Sequence, residues 1–179
     1  MIEFPKINGG WTLFLDRDGV INKRTFNNYI LDWSSFEFTP GLMDAAPIIG
    51  KAFDKIVVVT NQQCVAKGLI KQFELDTIHK SMVEALQSVG MKIDAVLAAT
   101  EHKNGIEQRR KPNTTMGFEA KAMFPDIDFS RSIMIGDTNT DIQFGKRLGM
   151  FTILVESEEL IKEIPDFKIG HLAQLSAYL

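Results

Sequence analysis

Thr12-Leu13-Phe14-Leu15-Asp16-Arg17-Asp18-Gly19-Val20-Ile21-Asn22 is an apolar run that stops at two acids and a glycine. Its composition is that of a buried parallel strand, so Asp16 and Asp18 fall where a strand leaves its sheet. Residues i and i+2 of a strand share a face, which lets the two carboxylates converge while Arg17 points elsewhere. Gly19 permits a sharp turn. Ligands of open α/β sheets gather outside the carboxyl ends of the strands, so an acidic pair at such an end has a functional reading from position alone. Asp-x-Asp-Gly by itself equally describes a solvated turn. It does not describe an EF-hand loop counted from Asp16, because Val20 and Asn27 stand where oxygen and glutamate ligands are needed.

Working outward, strand signals recur at Trp11 to Asp16, Lys55 to Thr60, Ile93 to Ala98, Ser132 to Gly136 and Phe151 to Val155. Helical patterns lie between them at Leu42 to Phe53, Phe73 to Val89, Thr114 to Phe124 and Thr140 to Leu148. The second of these is the strongest, with Leu75, Ile78, Met82, Leu86 and Val89 at helical spacing before Gly90. This alternation predicts a parallel sheet of about five strands covered on both faces by right-handed crossovers. His79 and the scattered methionines read as packing residues. Tyr29, Trp33, Phe36 and Phe38 read as rings that pack the segment from Asn22 to Pro40 onto the body, and the tail from Glu156 onward as short helices closing the edge of the domain.

The 179 residues suffice for one domain with a full core, so 1–179 is expected to be a single domain. An apolar content of 45% and a charged content of 24% are those of a soluble globular protein. A net charge of -3 gives no general attraction to nucleic acid or anionic membrane, so neither is an expected partner. Cys64, the single cysteine, can form neither an internal disulfide nor a cysteine-rich zinc site. No stretch reads as a leader or a membrane span, and the expected location is the cytoplasm.

Two further strand ends and one basic segment carry polar chemistry. Ile56-Val57-Val58-Val59 runs into Thr60-Asn61-Gln62-Gln63; Arg109-Arg110-Lys111-Pro112 precedes a predicted helix; Ile133-Met134-Ile135 runs into Gly136-Asp137-Thr138-Asn139-Thr140-Asp141. Each signal is weak alone. Together they place acids at two strand ends, a hydroxyl at a third and a lysine between. Acids without histidine partners suit a hard cation, and Mg2+ takes a few carboxylates together with phosphate oxygens and water. A carboxylate attacking a phosphate dianion meets repulsion, since unit charges ~4 Å apart interact by roughly 4 kcal/mol at an effective dielectric of 20. A metal and Lys111 would cancel it. One carboxylate as nucleophile and another as general acid then divide the displacement into two steps through an aspartyl-phosphate.

Leu13-Phe14-Leu15-Asp16-Arg17-Asp18-Gly19, Val59-Thr60-Asn61-Gln62, Arg110-Lys111-Pro112 and Ile135-Gly136-Asp137-x-x-x-Asp141 resemble the four ordered motifs of the haloacid dehalogenase (HAD) superfamily of phosphohydrolases. Asp16 to Asn22, with Thr60-Asn61-Gln62 and Arg110-Lys111-Pro112, is similar to the branch containing histidinol-phosphate phosphatase and heptose-1,7-bisphosphate phosphatase. The resemblance implies a three-layer, Rossmann-like α/β fold and a Mg2+-dependent phosphatase acting on a heptose bisphosphate, another sugar phosphate or histidinol phosphate. It implies Asp16 as nucleophile, Asp18 as acid and base, and Thr60 and Lys111 as holders of the transferring phosphoryl group. Mg2+ would bind the Asp16 carboxylate, the Asp18 carbonyl and Asp137, supported by Asp141; Asn61, Gln62 and Arg110 would face the substrate.

Members of that branch often carry a zinc loop before the Arg-Lys-Pro segment, whereas Glu101 to Gln108 contains no cysteine, so zinc is not expected. Cys64 stands where relatives commonly have glycine. The intervals from Asp18 to Thr60 and from Thr60 to Lys111 leave no room for a cap domain, and the expected cover is Lys23 to Trp33 with Glu101 to Arg109. A monomer or small homo-oligomer is expected. Two rival functions fit parts of the pattern. A polynucleotide 3'-phosphatase shares a similar Arg-Lys-Pro segment, and a receiver domain shares the Asp, Thr, Lys and Mg2+ set, with its lysine in a different order along the chain.

Overall fold

The structure, a computed structural model, describes residues 3–25, 28–104 and 109–179. Six strands, β1 (Thr12–Leu15), β2 (Lys55–Asn61), β3 (Ala95–Ala99), β4 (Ser132–Gly136), β5 (Phe151–Val155) and β6 (Phe167–Ile169), form one parallel sheet in the order β3-β2-β1-β4-β5-β6. Four helices, α1 (Leu42–Ala52), α2 (Gln72–Ser88), α3 (Thr115–Met123) and α4 (Asn139–Leu148), supply the crossovers.

Both faces of the sheet are buried, which is why the strands read as continuous apolar runs. Leu13, Leu15, Ile56, Val58, Ile133 and Ile135 pack on one face against Leu42, Ala46 and Ile49 of α1 and Leu75, Ile78 and Met82 of α2. The alternate residues Phe14, Val57, Val59 and Met134 pack on the other face against Met116 and Ala120 of α3 and Phe144 of α4. Burying each such side chain contributes roughly 1.5–3 kcal/mol, so packing on both faces stabilises the centre of the sheet. β1 lies at that centre. In register, Leu15 sits beside Val58 of β2 and Ile135 of β4, so the end of β2 and the residues that follow β1 and β4 come out at the same edge of the sheet. The chain moves outward from β1 to β2 and β3, then crosses back to β4, and ligands of such sheets bind at this reversal.

The sheet has six strands rather than five. Phe167–Ile169 is a three-residue edge strand pairing with β5, in a tail expected to be short helices. Three residues are too few to establish a period, and only one helical piece, the 3-10 turn Leu172–Tyr178, follows it. β3 begins two residues later than expected, because Asp94 breaks the run: its carboxylate accepts from the backbone of Ile56 at 2.9 Å. Among the described residues, the β1–α1 connection holds one helical piece, the 3-10 turn Trp33–Ser35, where Trp33 stacks on Phe36 at 4.8 Å between ring centroids and Phe38 meets both rings edge-on at 5.2 and 6.1 Å. No helix among the described residues is long and apolar enough to cross a membrane.

Candidate active site

The site begins where β1 stops. The Asp16 amide still pairs with the Ile135 carbonyl at 2.9 Å, and then the chain turns: the Arg17 carbonyl accepts from Val20, Ile21 and Asn22 at 3.3, 2.8 and 3.1 Å. Gly19 adopts a φ of 85° in this turn. A Cβ there would also lie 2.2 Å from Asp137 Oδ2, so the position needs glycine both for its backbone and for the approach of Asp137.

Asp137 follows β4 directly, and Asp141 is the third residue of α4, where it caps its own helix: its Oδ2 accepts from the Thr138 amide at 3.0 Å and the Thr138 hydroxyl at 2.6 Å. The other oxygen of Asp141 turns inward. Asp16, Asp137 and Asp141 thereby each offer one oxygen within 4.8 Å of the others. Lys111 is driven into this cluster, with Nζ 3.0 Å from Asp16 Oδ1 and 2.6 Å from Asp141 Oδ1. Its backbone is held by Asn61, whose Oδ1 accepts from Lys111 N at 3.0 Å and whose Nδ2 donates to Lys111 O at 3.2 Å.

Three buried carboxylates against one lysine leave excess negative charge. Burial, reinforced by the neighbouring acids, pushes Asp16 up to about 6 and Asp137 up to about 7. Lys111 is 1% exposed; burial works against its charge, but Asp141 and Asp16 outweigh burial and hold its pKa above the ordinary lysine value. Asp137 Oδ2 accepts from Arg24 Nη1 at 2.9 Å, and Arg24 Nη2 reaches Glu159 at 2.5 Å. The Oδ1 atom of Asp137 is buried without a hydrogen bond. Hard oxygen donors with uncompensated charge and a free buried lone pair fit a divalent cation such as Mg2+.

Asp18 has a different environment. Its Oδ1 accepts from Arg17 Nη2 at 2.8 Å, Arg17 Nε at 3.3 Å and Asn22 Nδ2 at 3.0 Å, and its Oδ2 from Arg17 Nη2 at 3.0 Å and Gln62 Nε2 at 2.7 Å. Burial works to raise its pKa, but the Arg17 charge and the hydrogen bonds from Asn22, Arg17 and Gln62 outweigh it and hold Asp18 below the usual carboxylate range. Arg17 therefore does not point away from Asp18. Strand alternation ends with Leu15, and the turn brings the guanidinium back onto its neighbour.

Asp16, Asp18, Thr60, Asn61, Arg110 and Asp137 line one cavity of about 370 Å³. Lys111 meets it through Asp16. Gln62, expected to face the substrate, is instead fully buried, bridging Asp18 and the Thr60 hydroxyl, to which it donates at 2.9 Å. Asn61 likewise spends its amide on the Lys111 backbone. Cys64 is buried beside Gln62, its Sγ 3.7 Å from Oε1, and burial raises its pKa, which suits packing and not reactivity.

Arg24, Tyr29 and Lys67 also line the cavity, and Arg24 with Lys103 and Arg110 lines an adjoining cleft of about 500 Å³. No strand or helix period marks these loop residues, and Arg24 meets Asp137 across 113 positions of sequence. Of the expected cover, residues 26–27 and 105–108 lie outside the described residues, as does half of the segment on which the zinc expectation rests.

The HAD-hydrolase-like family model matches residues 108–168. The chain is 35% identical over 133 residues to a D-glycero-alpha-D-manno-heptose-1,7-bisphosphate 7-phosphatase of Mycobacterium tuberculosis, covering 74% of this chain and 70% of that one. It is 34% identical over 172 residues to a D-glycero-beta-D-manno-heptose-1,7-bisphosphate 7-phosphatase of Mesorhizobium japonicum, covering 92% of this chain and 77% of that one. In fold it is similar to the D,D-heptose 1,7-bisphosphate phosphatase of B. bronchiseptica, crystallised with magnesium and phosphate, at a TM-score of 0.84 and 24% identity over 94% of this chain and 97% of that one.

Proposed function

The chain belongs to the haloacid dehalogenase superfamily of phosphatases, and we propose that it removes a phosphate from a small phosphorylated sugar of the heptose 1,7-bisphosphate kind, with Asp16 as the nucleophile. The observation that carries this reading is the buried Lys111, seated between Asp16 and Asp141 beside Asp137. A lysine so placed holds one oxygen of Asp16 and leaves the other free to attack. Two of its three N–H bonds are engaged by Asp16 and Asp141, and the third is available to a phosphoryl oxygen. The Thr60 hydroxyl accepts from Gln62, so its own hydrogen is free to donate to the same group.

Asp16 forms a bond to phosphorus while the ester bond breaks, and the leaving oxygen takes a proton from Asp18, whose carboxylate, ionised in the free site, takes that proton up as the incoming phosphate dianion raises its pKa. Water then gives a proton to Asp18 and attacks the aspartyl-phosphate, which frees Asp16 and releases phosphate. Asp16, Asp137 and the Asp18 carbonyl would hold Mg2+, with Asp141 in support. When bound, Mg2+ supplies positive charge that offsets the repulsion between Asp16 and the phosphate dianion. Asn61 and Gln62 act as supports of Lys111 and Asp18, and Arg110 is the residue placed to meet the far end of the substrate. We read residues 1–179 as one such domain in a cytoplasmic enzyme, a monomer or small homo-oligomer, whose substrate is a soluble metabolite.

The test is phosphate release from heptose 1,7-bisphosphate, histidinol phosphate, p-nitrophenyl phosphate and a 3'-phosphorylated oligonucleotide, with Mg2+ and with chelator. The heptose bisphosphate should give the highest kcat/KM, and chelation should abolish turnover. A preference for the oligonucleotide would overturn the substrate assignment, and activity unchanged by chelation would overturn the metal.

A further inference from the structure

His79 lies in the middle of α2, on the face that packs against the sheet, between Leu75, Ile78 and Met82. It is 8% exposed, and its Nε2 is 3.2 Å from Arg17 Nη1. A guanidinium has only donors, so Nε2 is the acceptor and the ring proton sits on Nδ1. Burial, with Arg17 adding to it, lowers the His79 pKa to about 4, so the ring is neutral at physiological pH.

We propose that His79 is a positioning residue for Asp18, acting through Arg17, and this rests on the reading of Asp18 as acid and base. Arg17 is fully buried and commits Nε and Nη2 to the two oxygens of Asp18. A guanidinium is a rigid planar fork, so fixing Nη1 fixes the direction of the other two nitrogens and with them the Asp18 carboxylate. His79 does this from a helix anchored in the core, a firmer support than any loop at the cavity. A neutral acceptor is what the place requires. A carboxylate there would share the Arg17 charge and weaken its hold on Asp18, and an imidazolium would repel it. Gln62 and Asn22 hold the same carboxylate from other directions, so His79 sets its orientation and does not supply its charge.

The measurement is kcat/KM, which reports the first phosphoryl transfer, for an alkyl phosphate and for p-nitrophenyl phosphate, whose leaving group needs little protonation. His79→Leu should lower the alkyl phosphate value by about ten- to a hundredfold, the scale of a misplaced catalytic group, and the p-nitrophenyl value far less. His79→Gln, a neutral acceptor, should restore the alkyl phosphate value to within about threefold. Where the leucine variant does not fold, as judged by thermal melting, His79→Asn, whose amide is too short to reach Arg17, replaces it. Equal losses on both substrates in a folded variant, or no rescue by His79→Gln, would overturn the inference alone. A wild-type protein that releases phosphate from neither ester would overturn the phosphatase reading and this inference with it.

Discussion

Asp16 and Asp18 are two residues apart and bear opposite electrostatic environments. Asp16 is crowded by buried acids and raised to about 6, while Asp18 is gripped by Arg17 and held low. A nucleophile gains from being close to other acids only when a cation offsets them, and Lys111 at 3.0 Å provides part of that charge. An acid and base gains from a fixed orientation, which five donor contacts give Asp18. Asp18→Asn keeps the shape and removes the proton. It should lower kcat/KM for an alkyl phosphate by about a hundredfold or more and for p-nitrophenyl phosphate much less, the scale general acid catalysis supplies. Equal losses would contradict the general-acid role. The two acids were readable in the sequence because both follow an apolar strand within three residues. Arg17, Arg24 and the inward turn of Gln62 were not, since side chains beyond a strand end no longer alternate and Gln62 meets Asp18 across 44 positions, Arg17 meets His79 across 62 and Arg24 meets Asp137 across 113.

At the level of elements, the turn after β1 and the first turn of α4 are packed against each other through Gly19 and Asp137. Gly19→Ala imposes both a strained backbone at positive φ and a Cβ 2.2 Å from a carboxylate oxygen. It should cost roughly 1–3 kcal/mol and displace Asp137, so activity should fall more than melting temperature indicates. Wild-type turnover in that variant would show that the turn tolerates rearrangement. α2 carries a pH dependence of its own. The folded pKa of His79 lies below its unfolded value of 6.5, so the stability it contributes is complete above pH 6.5 and is lost as pH falls toward 4. The raised Asp16 and Asp137 act in the opposite direction, so the comparison between variants isolates the histidine. His79→Gln should become more stable relative to wild type by up to about 3 kcal/mol between pH 6.5 and 4, measured by denaturant unfolding. A constant difference across that range would contradict a neutral buried ring.

For the whole molecule, the central position of β1 decides everything else. Because β2 and β4 flank it in register, Thr60 near the end of β2 and Asp137 just after β4 lie at the same sheet edge as Asp16. That convergence was legible as alternating apolar strands and helices, and β4 and β5 fall on their expected residues. β6 was not, because an edge strand of three residues needs only one paired neighbour and leaves no period behind. The three converging acids also make the molecule responsive to metal. Mg2+ should raise the melting temperature at pH 8, where Asp16 and Asp137 are ionised, and much less at pH 5, where protons already neutralise them. An equal rise at both values would place the ion elsewhere.

The central claim is that Asp16 takes the phosphoryl group. Asp18→Asn, mixed with p-nitrophenyl phosphate and Mg2+ and quenched in acid, should accumulate an acyl phosphate, because the base that activates water is gone. Borohydride reduction followed by peptide mass spectrometry should then find position 16, and no other acid, converted to homoserine. Released p-nitrophenol with Asp16 unreduced, or reduction at Asp137 or Asp141, would contradict it.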